Sequence, residues 1–266
     1  MQKQTLHSIQ KLKQTGEPIT VLTAYDSSFS KLISELGVEI ILVGDSLGMV
    51  MQGHQSTVPV TMENMIYHTQ CVASCNKGSW LISDLPYMSY ATDEQTLTNA
   101  ALLMQAGANM IKLEGGEWAC SSIKKLVERG VPVCGHLGLT PQSVDALGGY
   151  KVQGREKSNA EKIISDSLAI EKTGAQMLVL ECIPSDLAKE ISRKLSIPTI
   201  GIGAGNDTDG QVLVLQDMLG LNNDFKPKFV KNFFENDAVN SVSDAINAYI
   251  TEVKDRSFPT EQHSFK

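Results

Sequence analysis

Five apolar runs in this 266-residue chain each end on a side chain that can do chemistry. Val38-Glu39-Ile40-Ile41-Leu42-Val43-Gly44-Asp45-Ser46 closes on a glycine, a carboxylate and a hydroxyl, and Trp80-Leu81-Ile82-Ser83-Asp84 on a second carboxylate. Met110-Ile111-Lys112-Leu113-Glu114 carries a lysine and a glutamate two positions apart. Val133-Cys134-Gly135-His136 ends on an imidazole, and Met177-Leu178-Val179-Leu180-Glu181 on another carboxylate. Runs this rich in Ile, Val and Leu read as strands buried on both faces. Alternation along a strand predicts one face for Ile41, Val43 and Asp45, one for Ile82 and Asp84, and one for Lys112 and Glu114. A carboxylate in line with core residues is tolerable where the strand opens onto a cation or a ligand, as at the mouth of a barrel.

Asp45, Asp84 and Glu114 come from consecutive strands, which makes them neighbours round one side of such a mouth. Three carboxylates there repel unless a cation sits among them. Oxygen-only ligands favour Mg²⁺, with Mn²⁺ as the alternative. The plainer possibility is that each carboxylate caps a strand or pairs with Lys or Arg. Lys112 can hold a substrate carboxylate or a developing enolate oxygen, can form a Schiff base, or can serve only as an ion partner of Glu114 or another neighbour. Glu181, across the barrel from the cluster, is a candidate general base, since a lone carboxylate ending an apolar run can have a raised pKa; a backbone-bonded buried Glu is the alternative. His136 can bond a substrate oxygen or be a satisfied core histidine. Gly201-Ile202-Gly203-Ala204-Gly205 stands where many barrels bind phosphate, although close packing explains it equally well. No helix follows it at the spacing of a dinucleotide fingerprint.

The elements that position these residues alternate. Strands are predicted over 19–25, 38–45, 80–85, 109–114, 131–136, 176–182, 198–205 and 211–215, with helices over 27–36, 61–77, 93–106, 117–129, 158–173 and 184–195. Leu6, Ile9 and Leu12 recur at helical spacing, giving an amphipathic helix within 1–16 placed to cover the barrel's bottom. Thr61 and Thr92 start helices, Thr92 with Gln95 in a capping-box pattern, and Gly37 and Gly107 stop them. Two longer connections, 46–60 and 137–157, read as a structured loop over the mouth and as a lid or oligomer contact. Helices beyond 230 close the ring, and the polar tail 252–266 is expected to be poorly anchored.

The length suits a single (β/α)8 barrel over 1–266, a fold of roughly 250 residues. A net charge of −7, from 23 basic and 30 acidic residues, argues against nucleic-acid binding. No apolar run approaches the ~20 residues of a membrane span, and no signal peptide is expected. The five cysteines form no CxxC pair and read as reduced thiols, which points to the cytoplasm.

Taken together, the motifs resemble the ketopantoate hydroxymethyltransferase family. The matching stretches are Thr23-Ala24-Tyr25-Asp26, Val43-Gly44-Asp45-Ser46-Leu47-Gly48-Met49, Asp84-Leu85-Pro86 and Lys112-Leu113-Glu114-Gly115-Gly116. They continue in Gly135-His136-Leu137-Gly138-Leu139-Thr140-Pro141-Gln142, Gly148-Gly149-Tyr150-Lys151-Val152-Gln153-Gly154, Glu181, Ile200-Gly201-Ile202-Gly203-Ala204-Gly205 and His263-Ser264-Phe265. The resemblance implies a Mg²⁺-dependent TIM barrel of the phosphoenolpyruvate/pyruvate type, assembled as a homodecamer. It implies metal ligands at Asp45, Asp84 and Glu114, and contacts to the 2-oxo acid from Asp45, Ser46, Asp84 and Lys112, with Glu181 as the base. The implied reaction carries a hydroxymethyl group from 5,10-methylenetetrahydrofolate to 3-methyl-2-oxobutanoate through a Mg²⁺-stabilised enolate, giving 2-dehydropantoate and tetrahydrofolate. Two other readings are a Mg²⁺-dependent lyase or mutase on oxo acids in a similar barrel, and a catalytically silent barrel that binds oxo acids or phosphate.

Overall fold

The computed structural model describes residues 3–222 and 226–266. Eight parallel strands close into a barrel in sequence order: β1 Ile19–Thr23, β2 Ile40–Val43, β3 Trp80–Asp84, β4 Met110–Glu114, β5 Val133–Gly138, β6 Met177–Glu181, β7 Thr199–Ile202 and β8 Gly210–Leu213. Around them run α1 Leu6–Thr15, α2 Ser27–Leu36, α3 Leu47–Val50, α4 Met62–Cys75, α5 Asp93–Gln105, α6 Cys120–Glu128, α7 Lys157–Lys172, α8 Ser185–Lys194, α9 Leu215–Met218 and α10 Val242–Lys254. This is the predicted (β/α)8 architecture. Among the described residues, no helix is long and apolar enough to cross a membrane.

Side-chain alternation sorts the barrel into two apolar sets. Ile40, Leu42, Ile82, Met110, Cys134, Met177, Val179, Ile200 and Val212 fill the interior, while Ile41, Val43, Leu81, Ile111, Leu113, Leu178 and Leu180 face the helices. Ile9 of α1 is buried in the interior set, with Leu6 and Leu12 packed against it. The cavity between the inner residues is only about 10 Å³, so the barrel is a packed core and not a pore. Polar chemistry is therefore confined to the ends of the strands.

Helix starts follow local chemistry. The Asp26 carboxylate accepts the Ser28 and Phe29 N–H groups, and Thr61 accepts from Asn64 N while the Asn64 side chain returns the bond to Thr61 N. Thr92 accepts from Gln95 N. Gly37 ends α2 at φ +107°, a conformation open to glycine.

Three expectations are corrected. β2 ends at Val43, and the chain turns at once into α3, so the parity of the strand is lost before Asp45. Ile41 and Val43 point outward, while Asp45 reaches the mouth through the turn. β7 ends at Ile202 and not at 205; the chain bends there, with Gly203 and Gly205 at positive φ values of 61° and 79°. The C-terminal tail is anchored. Phe258 is buried against Phe233 and Tyr249, and Phe265 pairs with Pro184 as its carbonyl accepts the Ser185 N–H at 3.0 Å. Lys228 Nζ donates to the Ser264 carbonyl.

Candidate active site

Register decides which functional groups meet. Asp84 is the pairing partner of Lys112, and Glu114 that of His136, while Glu181 pairs with Gly138 one step beyond His136. Residues paired across parallel strands point the same way, so each pair faces the mouth side by side. Lys112 Nζ lies 2.9 Å from Asp84 Oδ1, and both residues are buried. Asp84 Oδ2 accepts the Asp45 backbone N–H at 3.2 Å, which ties the turn after β2 to the end of β3.

His136 lies between two carboxylates, its Nδ1 3.4 Å from Glu114 Oε1 and its Nε2 3.3 Å from Glu181 Oε2. Burial and Lys112 oppose a charge on this imidazole, but Glu114 and Glu181 outweigh them and its pKa is pushed up to about 9. The contacts are long, and neither ring nitrogen makes an aligned hydrogen bond among the described residues. β6 stands opposite β2 in the ring, as expected, yet Glu181 is joined to the cluster through His136. At 14% side-chain exposure Glu181 is the most accessible of the charged set, whereas Glu114 keeps 4% and His136 2%. A small molecule entering the mouth can therefore reach Glu181.

The electrostatics are unbalanced on the acidic side. Burial drives the Asp45 carboxyl well above the usual carboxylate range, and Asp84 and Glu114 add to the effect; Lys112 and Gln142 work against it. Burial raises Asp84 too, with Lys112 opposing. Lys112 is itself buried, but the surrounding Asp84, Glu114 and Asp45 outweigh that penalty and hold its ammonium charged. A charged Lys112 of this kind is not prepared to act as a Schiff-base nucleophile, which needs a neutral amine.

Among the described residues, no three His, Cys, Asp or Glu side chains are grouped so as to hold a metal ion. Glu114 is already engaged, by His136 at Oε1 and by the Gln142 backbone N–H at Oε2, 3.1 Å away. Asp84 is engaged as well, by Lys112 at Oδ1 and by the Asp45 N–H at Oδ2, and Asp45 accepts from Gln142 at Oδ2. The raised carboxyls of Asp45 and Asp84 and the excess of negative charge suit a hard cation such as Mg²⁺.

Sequence reading missed four residues. Gln142 Nε2 donates to Asp45 Oδ2 at 2.7 Å, and the Tyr90 hydroxyl donates to Gln142 Oε1 at 2.5 Å. Tyr25 and Ser46 hydroxyls are 2.8 Å apart, and His68 Nδ1 lies 2.7 Å from the Tyr25 carbonyl. Tyr25 and His68 thus brace Ser46 from behind. The glycines in and after β7 face protein, since a Cβ on Gly201 would lie 2.6 Å from Thr208 Oγ1 and one on Gly205 2.6 Å from Ser185 Oγ. Close packing accounts for them.

The fold has recognisable company among solved structures. Phosphonopyruvate hydrolase in complex with oxalate and Mg²⁺ superposes with a TM-score of 0.64 at 14% identity, covering 95% of this chain and 96% of that one. A 2,3-dimethylmalate lyase of the PEP mutase/isocitrate lyase superfamily gives a TM-score of 0.63 at 12% identity, covering 88% of each chain. The protein is thus a (β/α)8 barrel of that superfamily's fold, with a charged site at the C-terminal mouth. The family model for ketopantoate hydroxymethyltransferase matches residues 3–261. Proteins named 3-methyl-2-oxobutanoate hydroxymethyltransferase from Shewanella amazonensis and Idiomarina loihiensis are each 56% identical to it, over 100% of both chains and over 99% and 98% respectively. The chain belongs to the ketopantoate hydroxymethyltransferase family.

Proposed function

We infer that the chain transfers a one-carbon unit from 5,10-methylenetetrahydrofolate to 3-methyl-2-oxobutanoate, which with water gives 2-dehydropantoate and tetrahydrofolate. The observation that carries this reading is the convergence of Asp45, Asp84, Lys112, Glu114, His136 and Glu181 on one barrel mouth in a chain of this family. Asp45 and Asp84 would hold Mg²⁺, with Glu114 behind them. The metal, when bound, supplies Lewis-acid polarisation of the 2-oxo group.

The side chains supply the rest. The Lys112 ammonium is fixed by Asp84 and offers positive charge to the carboxylate or the developing enolate oxygen of the oxo acid. Ser46, oriented by Tyr25, offers a hydrogen bond to the same substrate, whereas both ring nitrogens of His136 face carboxylates. Glu181, open to the mouth, takes the C3 proton; the C3–H electron pair moves to the C2–C3 bond as the 2-oxo π pair moves to its oxygen. Water cleaves the two C–N bonds of the methylene bridge, leaving N–H groups on the folate, and C3 attacks that formaldehyde-level carbon, whose oxygen takes up the proton and becomes the hydroxymethyl group. His136 between Glu181 and Glu114 holds the base in place and keeps two carboxylates from facing each other directly. The reading further places the protein in the cytoplasm as a homodecamer, as the family resemblance implies.

The test is turnover with both substrates and Mg²⁺. Formation of 2-dehydropantoate in equal amounts with tetrahydrofolate, abolished by a chelator, is the expected result. Cleavage of an oxo acid without folate would instead favour a lyase.

A further inference from the structure

Gln142 is buried in the loop after β5, and both donors and the oxygen of its side chain are used. Its amide nitrogen donates to Asp45 Oδ2 at 2.7 Å and to the Leu85 carbonyl at 2.9 Å, and its amide oxygen accepts the Tyr90 hydroxyl at 2.5 Å. Its backbone N–H donates to Glu114 Oε2 at 3.1 Å. A backbone carbonyl can only accept, so Leu85 settles which end of the amide faces Asp45. Tyr90 then supplies the donor that the amide oxygen requires, and its ring is held in a stack with Trp118, centroids 5.9 Å apart. One residue therefore touches the chain at the ends of three successive strands, β2, β3 and β4. Pro141, which begins the short helical turn Pro141–Ser143, presets the backbone that delivers it.

A space-filling role would be met by Leu or Met. Here the side-chain nitrogen is aimed at the Asp45 carboxylate and the Leu85 carbonyl, while the backbone N–H that any residue but proline would supply holds Glu114; a neutral donor adds no further charge to a crowded acidic cluster. We propose that Gln142 is a positioning residue, which locks the Asp45 carboxylate against rotation and holds it in fixed relation to Glu114 so that a divalent cation and the oxo acid meet a preset site. Through Gln142 the order of the 137–157 loop is transmitted to the carboxylates. The inference rests on the proposed function for the cation it invokes.

Mn²⁺ is the probe, followed by electron paramagnetic resonance on the full chain without substrates. In Gln142→Leu the amide is lost, and Mn²⁺ affinity should fall about 10- to 100-fold, the usual effect of removing a partner that orients a ligand. Tyr90→Phe keeps the ring and its stack but removes the hydroxyl; it should weaken binding about two- to tenfold and alter the spectrum of the bound ion. A purely structural role would lower melting temperature while leaving that spectrum unchanged. Tyr90→Phe and Gln142→Leu both binding within about twofold of wild type would overturn the inference. So would an unfolded Gln142→Leu beside a Tyr90→Phe that binds as the wild type does. If wild type binds no Mn²⁺, this inference and the proposed metal fall together, whereas tight wild-type binding with unaffected variants removes only the role of Gln142.

Discussion

At the residue scale the site is a set of like charges held together at a disadvantage. Asp45 suffers most, because it is buried and faces Asp84 and Glu114, with the nearest ammonium already committed to Asp84. Replacing it by Asn removes one charge and keeps an acceptor for Gln142. Metal-free Asp45→Asn should therefore melt at or above the wild-type temperature, yet show none of the rise that Mg²⁺ gives the wild type. Thermal unfolding with and without Mg²⁺ reads both effects. A metal-free variant clearly less stable than the wild type would mean that Asp45 is a structural ion partner and not a member of a cation site. Most of these residues were legible in the sequence because each follows an apolar run. Gln142 and Tyr90 were not, since they sit in loops without periodicity; the Pro141-Gln142 step after the β5 motif was the one local hint.

At the element scale, strand parity was the most productive rule and the one that failed most instructively. It grouped Asp84 with Ile82 and Lys112 with Glu114 on the face that proves to be the inner one, because β3 and β4 run on in regular alternation to those residues. It misassigned the partners of Asp45, because β2 turns at Gly44, and a turn resets facing in a way that no alternation pattern records. The junction of β5 with β6 depends on a second such point. Gly138 has φ +94°, and a Cβ there would lie 2.1 Å from the Glu181 carbonyl oxygen. Backbone cannot step aside as a side chain can. Gly138→Ala should destabilise the protein by at least about 2 kcal/mol and displace Glu181, giving a loss of kcat larger than the loss of fold explains. Denaturant unfolding together with kcat checks this, and a stable, fully active Gly138→Ala would refute it.

At the scale of the whole molecule, the barrel separates stability from function. Its apolar interior, closed below by α1, has room for no ligand, so every candidate for chemistry lies at one end. The overall fold was readable from alternating strand and helix patterns. The tail was not, because its anchoring is tertiary: a composition that looks solvated hides Phe258 and Phe265, of which the first packs on Phe233 and Tyr249 and the second pairs with Pro184 ahead of α8. We propose that this mouth removes the C3 proton of a 2-oxo acid through Glu181. This is tested most directly by incubating wild-type and Glu181→Gln protein with 3-methyl-2-oxobutanoate and Mg²⁺ in D₂O, and following the C3 proton by NMR. Metal-dependent exchange is expected in the wild type and a rate at least about 100-fold lower in Glu181→Gln, with the Mg²⁺-induced rise in melting temperature retained. Exchange at the wild-type rate in Glu181→Gln would contradict it.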